Sequence, residues 1–291
     1  MKEKTITYQN NTITYRVTGE GKTVVLLHGF AEDGGIWDHQ VDFLKDHFRL
    51  IVPDIPGSGN SQLIANADIE TYAEIIKVIL DTELNEAPEP GRLEKPGQNN
   101  TIQTGEEPLW VAGGLVTIIG HSMGGYITLA FAEKYPQYLH SFGLFHSSAF
   151  ADNEEKKLGR AKAIDFIKEQ GAAAFLKTSI PGLFTKQFAE KYPARINALV
   201  EAGKNFSDAA LVQYYEAMIA RPDRAAVLQT FPKPILFIMG EFDTAIPLQS
   251  SLRQCNLPAQ AHVHLLSASA HMGMWEETEK ANEILFNFLQ G

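Results

Sequence analysis

The 291-residue sequence has only one cysteine, Cys255. A single thiol cannot close an internal disulfide, so folding does not depend on an oxidising compartment, and no second cysteine is present to build a thiolate metal site. Cys255 reads as a small hydrophobe or an idle thiol. Long apolar runs are also missing. Nowhere does the chain reach the roughly 18 consecutive apolar residues of a membrane span, and the opening MKEKTITYQN lacks the apolar stretch of a secretory signal. The cytoplasm is therefore the expected location. Positive charge is scarce: 25 Lys and Arg face 35 Asp and Glu, for a net charge of −10. Such a surface repels phosphate backbones and anionic headgroups, and no dense basic cluster offsets it. Nucleic acid is not an expected partner.

What the chain has is the balance of a globular protein, with 44% hydrophobic and 21% charged residues. Its length suits one large domain, or one domain with a sizeable insertion. Thr5–Tyr8 and Thr12–Thr18 alternate polar and apolar residues around Gln9-Asn10-Asn11, which predicts an opening β-hairpin. Short continuous apolar runs follow at Thr23–Leu27, Leu50–Val52, Leu115–Ile119, Leu139–Phe145, Pro234–Met239 and Val263–Leu266. Runs of this kind suit strands buried on both faces. Between them lie segments of helical spacing: Ile36–Phe48, Ile69–Leu84, the stretch after Ser122 up to Tyr135, and a final helix from about Met274 to Leu289. Strands alternating with helices imply right-handed crossovers and a mostly parallel central sheet with helices on both faces, an α/β class.

Two segments break that rhythm. Residues 147–231 have helical periodicity and no strong strand signal, and read as an inserted helical cap. Residues 1–146 and 232–291 then form the core domain. Residues 86–114, rich in proline, glycine and asparagine, form an atypical loop insertion. It reads either as decoration or as a surface for self-association, with Leu109-Trp110-Val111 apolar enough to dock.

The strongest chemical signal is Gly120-His121-Ser122-Met123-Gly124-Gly125. It has the G-x-S-x-G form, with an apolar strand before it and a helix after it. A bare pentapeptide of this form arises by chance. In this setting, a sharp strand-to-helix turn would hold the serine strained and exposed, with glycines letting the two segments approach. The competing reading is a mere tight turn. His28-Gly29-Phe30, directly after the first buried strand, is placed to supply one oxyanion donor. The residue after the serine supplies the other, so the donors would be the backbone N–H groups of Phe30 and Met123.

A serine hydroxyl is a weak nucleophile and needs a base oriented by an acid. Asp243 follows the fifth buried run, in Gly240-Glu241-Phe242-Asp243, and His271 follows the sixth, in Ala270-His271-Met272-Gly273. Both fall just past strand carboxyl ends, where open α/β sheets place their ligands. The catalytic candidates are therefore Ser122, Asp243 and His271, with Glu241 as the rival acid. His28 reads as structural. His121 and His146 are candidates for lining a substrate pocket, with packing the alternative for His146. His262 and His264 alternate along a strand, one facing in and one out.

These motifs, with Asp54–Ser61 in the form D-x-x-G-x-G-x-S and the closing AHMGMWE, resemble the α/β-hydrolase superfamily over nearly the whole chain. The resemblance implies an α/β-hydrolase fold with a helical cap, a Ser-Asp-His triad, no metal and no organic cofactor. It also implies that Glu276 or Glu277 opens the last helix. A serine at position 122, where haloalkane dehalogenases and epoxide hydrolases carry aspartate, disfavours those activities. The expected activity is hydrolysis of a small-molecule carboxylic ester. Thioesterase, C–C bond hydrolase, acyltransferase and perhydrolase chemistry would use the same residues, and a non-catalytic ligand-binding protein is the alternative from another class.

Overall fold

In the computed structural model, residues 1–86 and 116–291 are described. The expected insertion at 86–114 lies, apart from its first residue, outside the described residues, as does Leu115. Eight strands form one sheet among the described residues: β1 (Lys2–Tyr8), β2 (Asn11–Thr18), β3 (Thr23–Leu27), β4 (Arg49–Pro53), β5 (Val116–His121), β6 (Leu139–Phe145), β7 (Ile235–Gly240) and β8 (Ala261–Leu266). Their spatial order is β1-β2-β4-β3-β5-β6-β7-β8. β2 pairs antiparallel with β1 and with β4, and every other pairing is parallel. This is the mostly parallel sheet, opened by a hairpin, that the apolar runs predict.

The central strands β3, β5 and β7 are buried along their whole length. Helices therefore cover both faces, and valine, leucine and isoleucine run without polar alternation. The rim is different. β8 is an edge strand with Val263 and Leu265 exposed, and neither His262 nor His264 is buried. The inward-and-outward alternation expected of that pair does not occur.

The helices of this core are α1 (Asp38–Leu44), α2 (Ile69–Glu86) and α3 (Met123–Lys134). Between β6 and β7 the chain forms α4 (Glu154–Gln170), α5 (Ala172–Ser179), α6 (Lys186–Lys191), α7 (Pro193–Gly203), α8 (Asp208–Ala220) and α9 (Ala225–Thr230). After β7 come α10 (Leu248–Cys255), α11 (Gly273–Glu276) and α12 (Thr278–Gln290). Two predicted helices are shorter or broken. Ile36–Phe48 begins as a 3-10 turn at Gly34–Trp37, capped by Asp33, whose carboxylate accepts from the Gly35 N–H at 2.8 Å. The last helix is interrupted at Glu277, which has φ −128° and ψ 55°. Its carboxylate reaches back to the Ala268 N–H and the Ser269 hydroxyl, both at 2.8 Å. A side chain bonding backwards to a preceding loop competes with continuous helix. Among the described residues no helix is long and apolar enough to cross a membrane. Cys255 is buried, and burial pushes its thiol up to about 11.

The helical stretch between β6 and β7 lies over the carboxyl ends of the strands. The hydrogen bonds that hold it there include His271 N–H to Leu183 O at 2.9 Å, Thr185 N–H to Glu276 Oε1 at 2.7 Å, and Tyr214 O–H to Pro56 O at 2.8 Å.

Backbone approaches closely where β5, β3 and α3 meet. A Cβ on Gly120 would lie 2.3 Å from the Gly124 carbonyl oxygen, and one on Gly124 would lie 2.5 Å from the Leu27 carbonyl oxygen. Both obstacles are backbone and cannot rotate away. Gly120→Ala and Gly124→Ala should each lower unfolding stability by about 1–3 kcal/mol or more. Urea denaturation would show this as a lower midpoint for each variant.

Candidate active site

β5 runs into α3 through a single residue, Ser122, with φ 49° and ψ −114°. A non-glycine residue at positive φ is strained, and it persists only where its surroundings hold it. Here they do. The Ser122 N–H donates to Phe145 O at 3.0 Å, and the Ser122 carbonyl accepts from the Gly125 N–H at 2.9 Å and the Ser147 hydroxyl at 2.7 Å. The half-buried side chain of Ser122 thus stands at the N-terminus of α3, where free N–H groups and the helix dipole favour negative charge.

The loop after β3 passes against this turn. A Cβ on Gly29 would sit 3.1 Å from Ser122 Cβ, a tight contact that a bare glycine avoids. Among the described residues, neither the Phe30 nor the Met123 backbone N–H has a hydrogen-bond acceptor. Two unpaired donors flank Ser122. His28, behind the loop, is fully buried; its Nε2 accepts from the Ile55 N–H at 2.9 Å and lies 2.9 Å from the Ser58 hydroxyl. It is a loop anchor.

Asp243 lies in the loop after β7 and His271 in the loop after β8. The His271 Nδ1–H donates to Asp243 Oδ2 at 2.8 Å, and both side chains are buried. The carboxylate fixes the tautomer, because an ionised oxygen only accepts. His271 Nε2 is left as the free basic nitrogen. Asp243 Oδ1 accepts from the N–H groups of Ala245 and Ile246 at 2.9 and 2.8 Å. Burial opposes charge on Asp243, but His271, with the hydrogen bonds from His146 and His271, holds its carboxyl well below the usual carboxylate range. Glu241 is exposed and makes no side-chain bond to His271. The Ser122 hydroxyl and His271 Nε2 form no hydrogen bond in this structure. Catalytic hydrogen bonds of this kind are often long until substrate binds.

The backbone of His271 is nevertheless tied to the residue before the serine. The His121 Nε2–H donates to the His271 carbonyl at 3.0 Å, and the two rings lie 5.0 Å apart. The other nitrogen of His121, Nδ1, meets Glu32 Oε2 at 2.9 Å. That same oxygen accepts from the Gly29 N–H at 2.6 Å. With an acceptor on each ring nitrogen, His121 carries both protons opposite an ionised Glu32. Burial works against both charges. Glu32 is held low by the charge and hydrogen bond of His121, and His121 is held high by Glu32 in return. Glu32 thus joins the loop after β3, the residue preceding Ser122 and the His271 loop through one buried ion pair.

The sequence marks His121 and His146 as pocket-lining candidates. Both are buried and engaged with carboxylates instead, His121 with Glu32 and His146 with Asp243. Glu32 was not among the predicted site residues. Its only sequence signal is its place two residues beyond HGF, and an acid there is indistinguishable from a solvated loop residue. Glu276, expected at the start of the last helix, caps the His271 loop from below: its Oε2 accepts from the Ala270 N–H at 2.8 Å and the Met272 N–H at 3.3 Å.

His146, Asp243 and His271 bring three donor atoms within 4.8 Å of one another. The 2.8 and 3.0 Å separations of the two histidine nitrogens from Asp243 Oδ2 are hydrogen-bond lengths, and an N–H fills each contact. We assign no metal to this group.

Truncating Glu32 would strand the buried His121 cation and the Gly29 N–H. Glu32→Ala should therefore cost about 3–5 kcal/mol. The sign of its pH dependence follows from the two shifts. Glu32 is lowered from 4.5, so its contribution is complete above that pH and fades as pH falls through the folded value. His121 is raised from 6.5, so its contribution is complete below that pH and is lost as pH rises through the raised value. Urea titrations across pH should find the wild-type advantage over Glu32→Ala greatest between 4.5 and 6.5 and smaller at alkaline pH.

Comparison with known proteins agrees with this architecture. Residues 24–283 match the alpha/beta hydrolase family. The chain is 24% identical over 302 residues to a 2-hydroxy-6-oxononadienedioate/2-hydroxy-6-oxononatrienedioate hydrolase of Paraburkholderia phymatum, covering 95% of this chain and 90% of that one. It is 22% identical to a pimeloyl-[acyl-carrier protein] methyl ester esterase of Vibrio atlanticus, covering 97% and 99%. Among solved structures, a thermophilic esterase from Thermogutta terrifontis superposes with a TM-score of 0.83 at 24% identity, covering 100% of this chain and 98% of that one. An enol-lactonase from Burkholderia xenovorans superposes with a TM-score of 0.82 at 21% identity, covering 99% and 100%. By the family match over most of its length and the strand order of its sheet, the chain belongs to the alpha/beta hydrolase family.

Proposed function

We propose that the protein hydrolyses carboxylic esters of small molecules through an acyl-enzyme, with Ser122 as nucleophile, His271 as general base and Asp243 as its orienting acid. The observation that carries this reading is the buried 2.8 Å hydrogen bond from His271 to Asp243, which leaves His271 Nε2 basic on the same sheet edge as a strained serine. In the first step Ser122 Oγ bonds to the acyl carbon while its proton passes to His271 Nε2. The N–H groups of Phe30 and Met123 donate to the oxyanion, an arrangement that contributes several kcal/mol to lowering such barriers. Collapse breaks the ester C–O bond, and His271 returns the proton to the leaving alcohol. Water then gives a proton to His271 as its oxygen bonds to the acyl carbon; collapse breaks the bond from the acyl carbon to Ser122 Oγ, His271 returns the proton to Oγ, and the acid is released.

Residues 147–231 act in this proposal as a cap that selects the substrate. The Phe30 side chain stacks on Tyr215 at 4.3 Å and meets Phe175 and Tyr214 edge-on. A cavity of about 210 Å³ lies beside it, lined by Ala31, Ile36, Leu199, Phe206 and Trp275 among others. Its lining also includes Glu32 and Asp33 and does not reach Ser122 or His271, so the preference for an apolar acyl or alcohol group is read from the aromatic cluster of Phe30, Phe175 and Tyr215. The same triad and amides would serve C–C bond cleavage, and the ester reading is taken because esterases stand both among the curated relatives and among the solved structures that the chain resembles. The relatives' names include both chemistries.

A fluorophosphonate probe should label the folded protein rapidly, and Ser122→Ala should abolish labelling. Absence of labelling in folded wild type would favour a ligand-binding protein. On p-nitrophenyl esters of increasing acyl length, Asp243→Asn and His271→Ala should lower turnover by about 10³–10⁴-fold while circular dichroism stays unchanged. Wild-type turnover in Asp243→Asn together with a collapse in Glu241→Gln would transfer the acid role.

A further inference from the structure

The triad reading leaves a second histidine on its acid unexplained. His146 ends β6, and its Nδ1 lies 3.0 Å from Asp243 Oδ2, the same oxygen that accepts from His271. We propose that His146 is a positioning residue for the reaction, its Nδ1–H sharing Asp243 Oδ2 with His271 and so limiting how strongly the carboxylate holds the imidazolium formed during turnover. This rests on the triad reading above.

The placement is built rather than incidental. His146 has φ 49°, a strained backbone like that of Ser122, and its N–H is fixed to Ile238 O at 2.8 Å. Two glycines make room for its ring. A Cβ on Gly240 would lie 2.8 Å from His146 Cε1, and one on Gly273 would lie 2.5 Å from His146 Nε2. The ring is fully buried, and its Nε2 has no hydrogen-bond partner among the described residues. A fold that accepts a strained backbone, two bare glycines and an orphan nitrogen obtains one bond in return, the one to Asp243.

The tautomer follows from the partner. Asp243 is ionised and only accepts, so the proton of His146 resides on Nδ1. The ring is also uncharged, because burial drives it down to about 4. The charged and titratable groups around it are Asp243, His271 at 5.7 Å between rings and His121 at 6.1 Å. Glu32 stands behind His121, and Glu276 behind the His271 loop. Of these, only His146 and His271 donate side-chain hydrogen bonds to Asp243. A donor that competes for Oδ2 draws negative charge away from His271. The imidazolium is thereby stabilised less, and His271 gives up its proton to the leaving group more readily.

Removing the donor should move the acid limb of the kcat/KM profile upward. In His146→Ala the shift should be about half a pH unit or more, with kcat lower and KM nearly unchanged. In His146→Asn the limb should return toward wild type, because the asparagine amide can occupy the place of Nδ1 and asparagine tolerates positive φ. A limb that stays put or moves downward in folded His146→Ala, or an Asn variant no different from Ala, would overturn the proposal. Two NMR measurements stand apart from turnover. The ¹⁵N shifts of wild-type His146 must report the neutral Nδ1–H tautomer at pH 6, and an Nε2–H tautomer would overturn the proposal even if the variants fail to fold. The His271 titration midpoint, compared between Ser122→Ala and Ser122→Ala/His146→Ala, must rise in the second. That comparison reads the coupling even if ester turnover is never found.

Discussion

A carboxylate kept ionised away from water needs a donor for each of its lone pairs, and Asp243 has four: two backbone N–H groups on one oxygen and two imidazoles on the other. Much of the site's order depends on this. The Ala245 and Ile246 amides fix the carboxylate to its own loop, so its direction does not depend on the histidine it serves. The imidazoles arrive from other strands, His146 from β6 and His271 from beyond β8. Three strand ends are thereby bound to one side chain. In a low-dielectric setting such a network is rigid when every member is satisfied and costly when one is removed.

The Glu32–His121 pair plays the complementary part on the other side of the serine. Asp243 gathers β6, β7 and the loop after β8. Glu32 gathers the loop after β3, the end of β5 and, through the His271 carbonyl, the same loop after β8. Ser122 lies between the two networks with its own backbone strained. A strained conformation persists only where its surroundings over-determine it. Here the hydrogen bonds to Phe145, Gly125 and Ser147 supply that constraint.

The sheet was legible in the sequence because buried parallel strands leave an unbroken apolar signature, and six such runs stand in sequence order with helices between them. The turn at Ser122 was legible because its sharpness demands glycine at 120 and 124, and the pairing of Asp243 with His271 because groups past strand carboxyl ends gather at one sheet edge. Glu32 was not legible. A carboxylate looks the same in sequence whether water or a buried imidazole solvates it, and its partner is 89 positions away. His121 and His146 were noticed but read as pocket residues, since sequence shows that a histidine is near a site and not which way its ring points. The break at Glu277 escaped for a related reason: the helical pattern runs through it, and only the turn at 268–269 reveals what its side chain prefers.

The helical stretch over the sheet edge bears on how such a site works. Its Leu183 carbonyl accepts the backbone N–H of His271 itself, and its Thr185 N–H binds Glu276, which also holds the N–H groups on either side of that histidine. The helices are therefore fastened to the loop that carries His271, and the same segment meets the serine side as well, where the Ser147 hydroxyl donates to the Ser122 carbonyl and Tyr215 stacks on Phe30. A displacement of that segment would act on the His271 loop and on the Ser122 turn together. Ser122 stands where the sheet runs into α3, and His271 stands on a loop shared with the helices that cover the sheet edge, so the covering segment holds both sides of the candidate site in register.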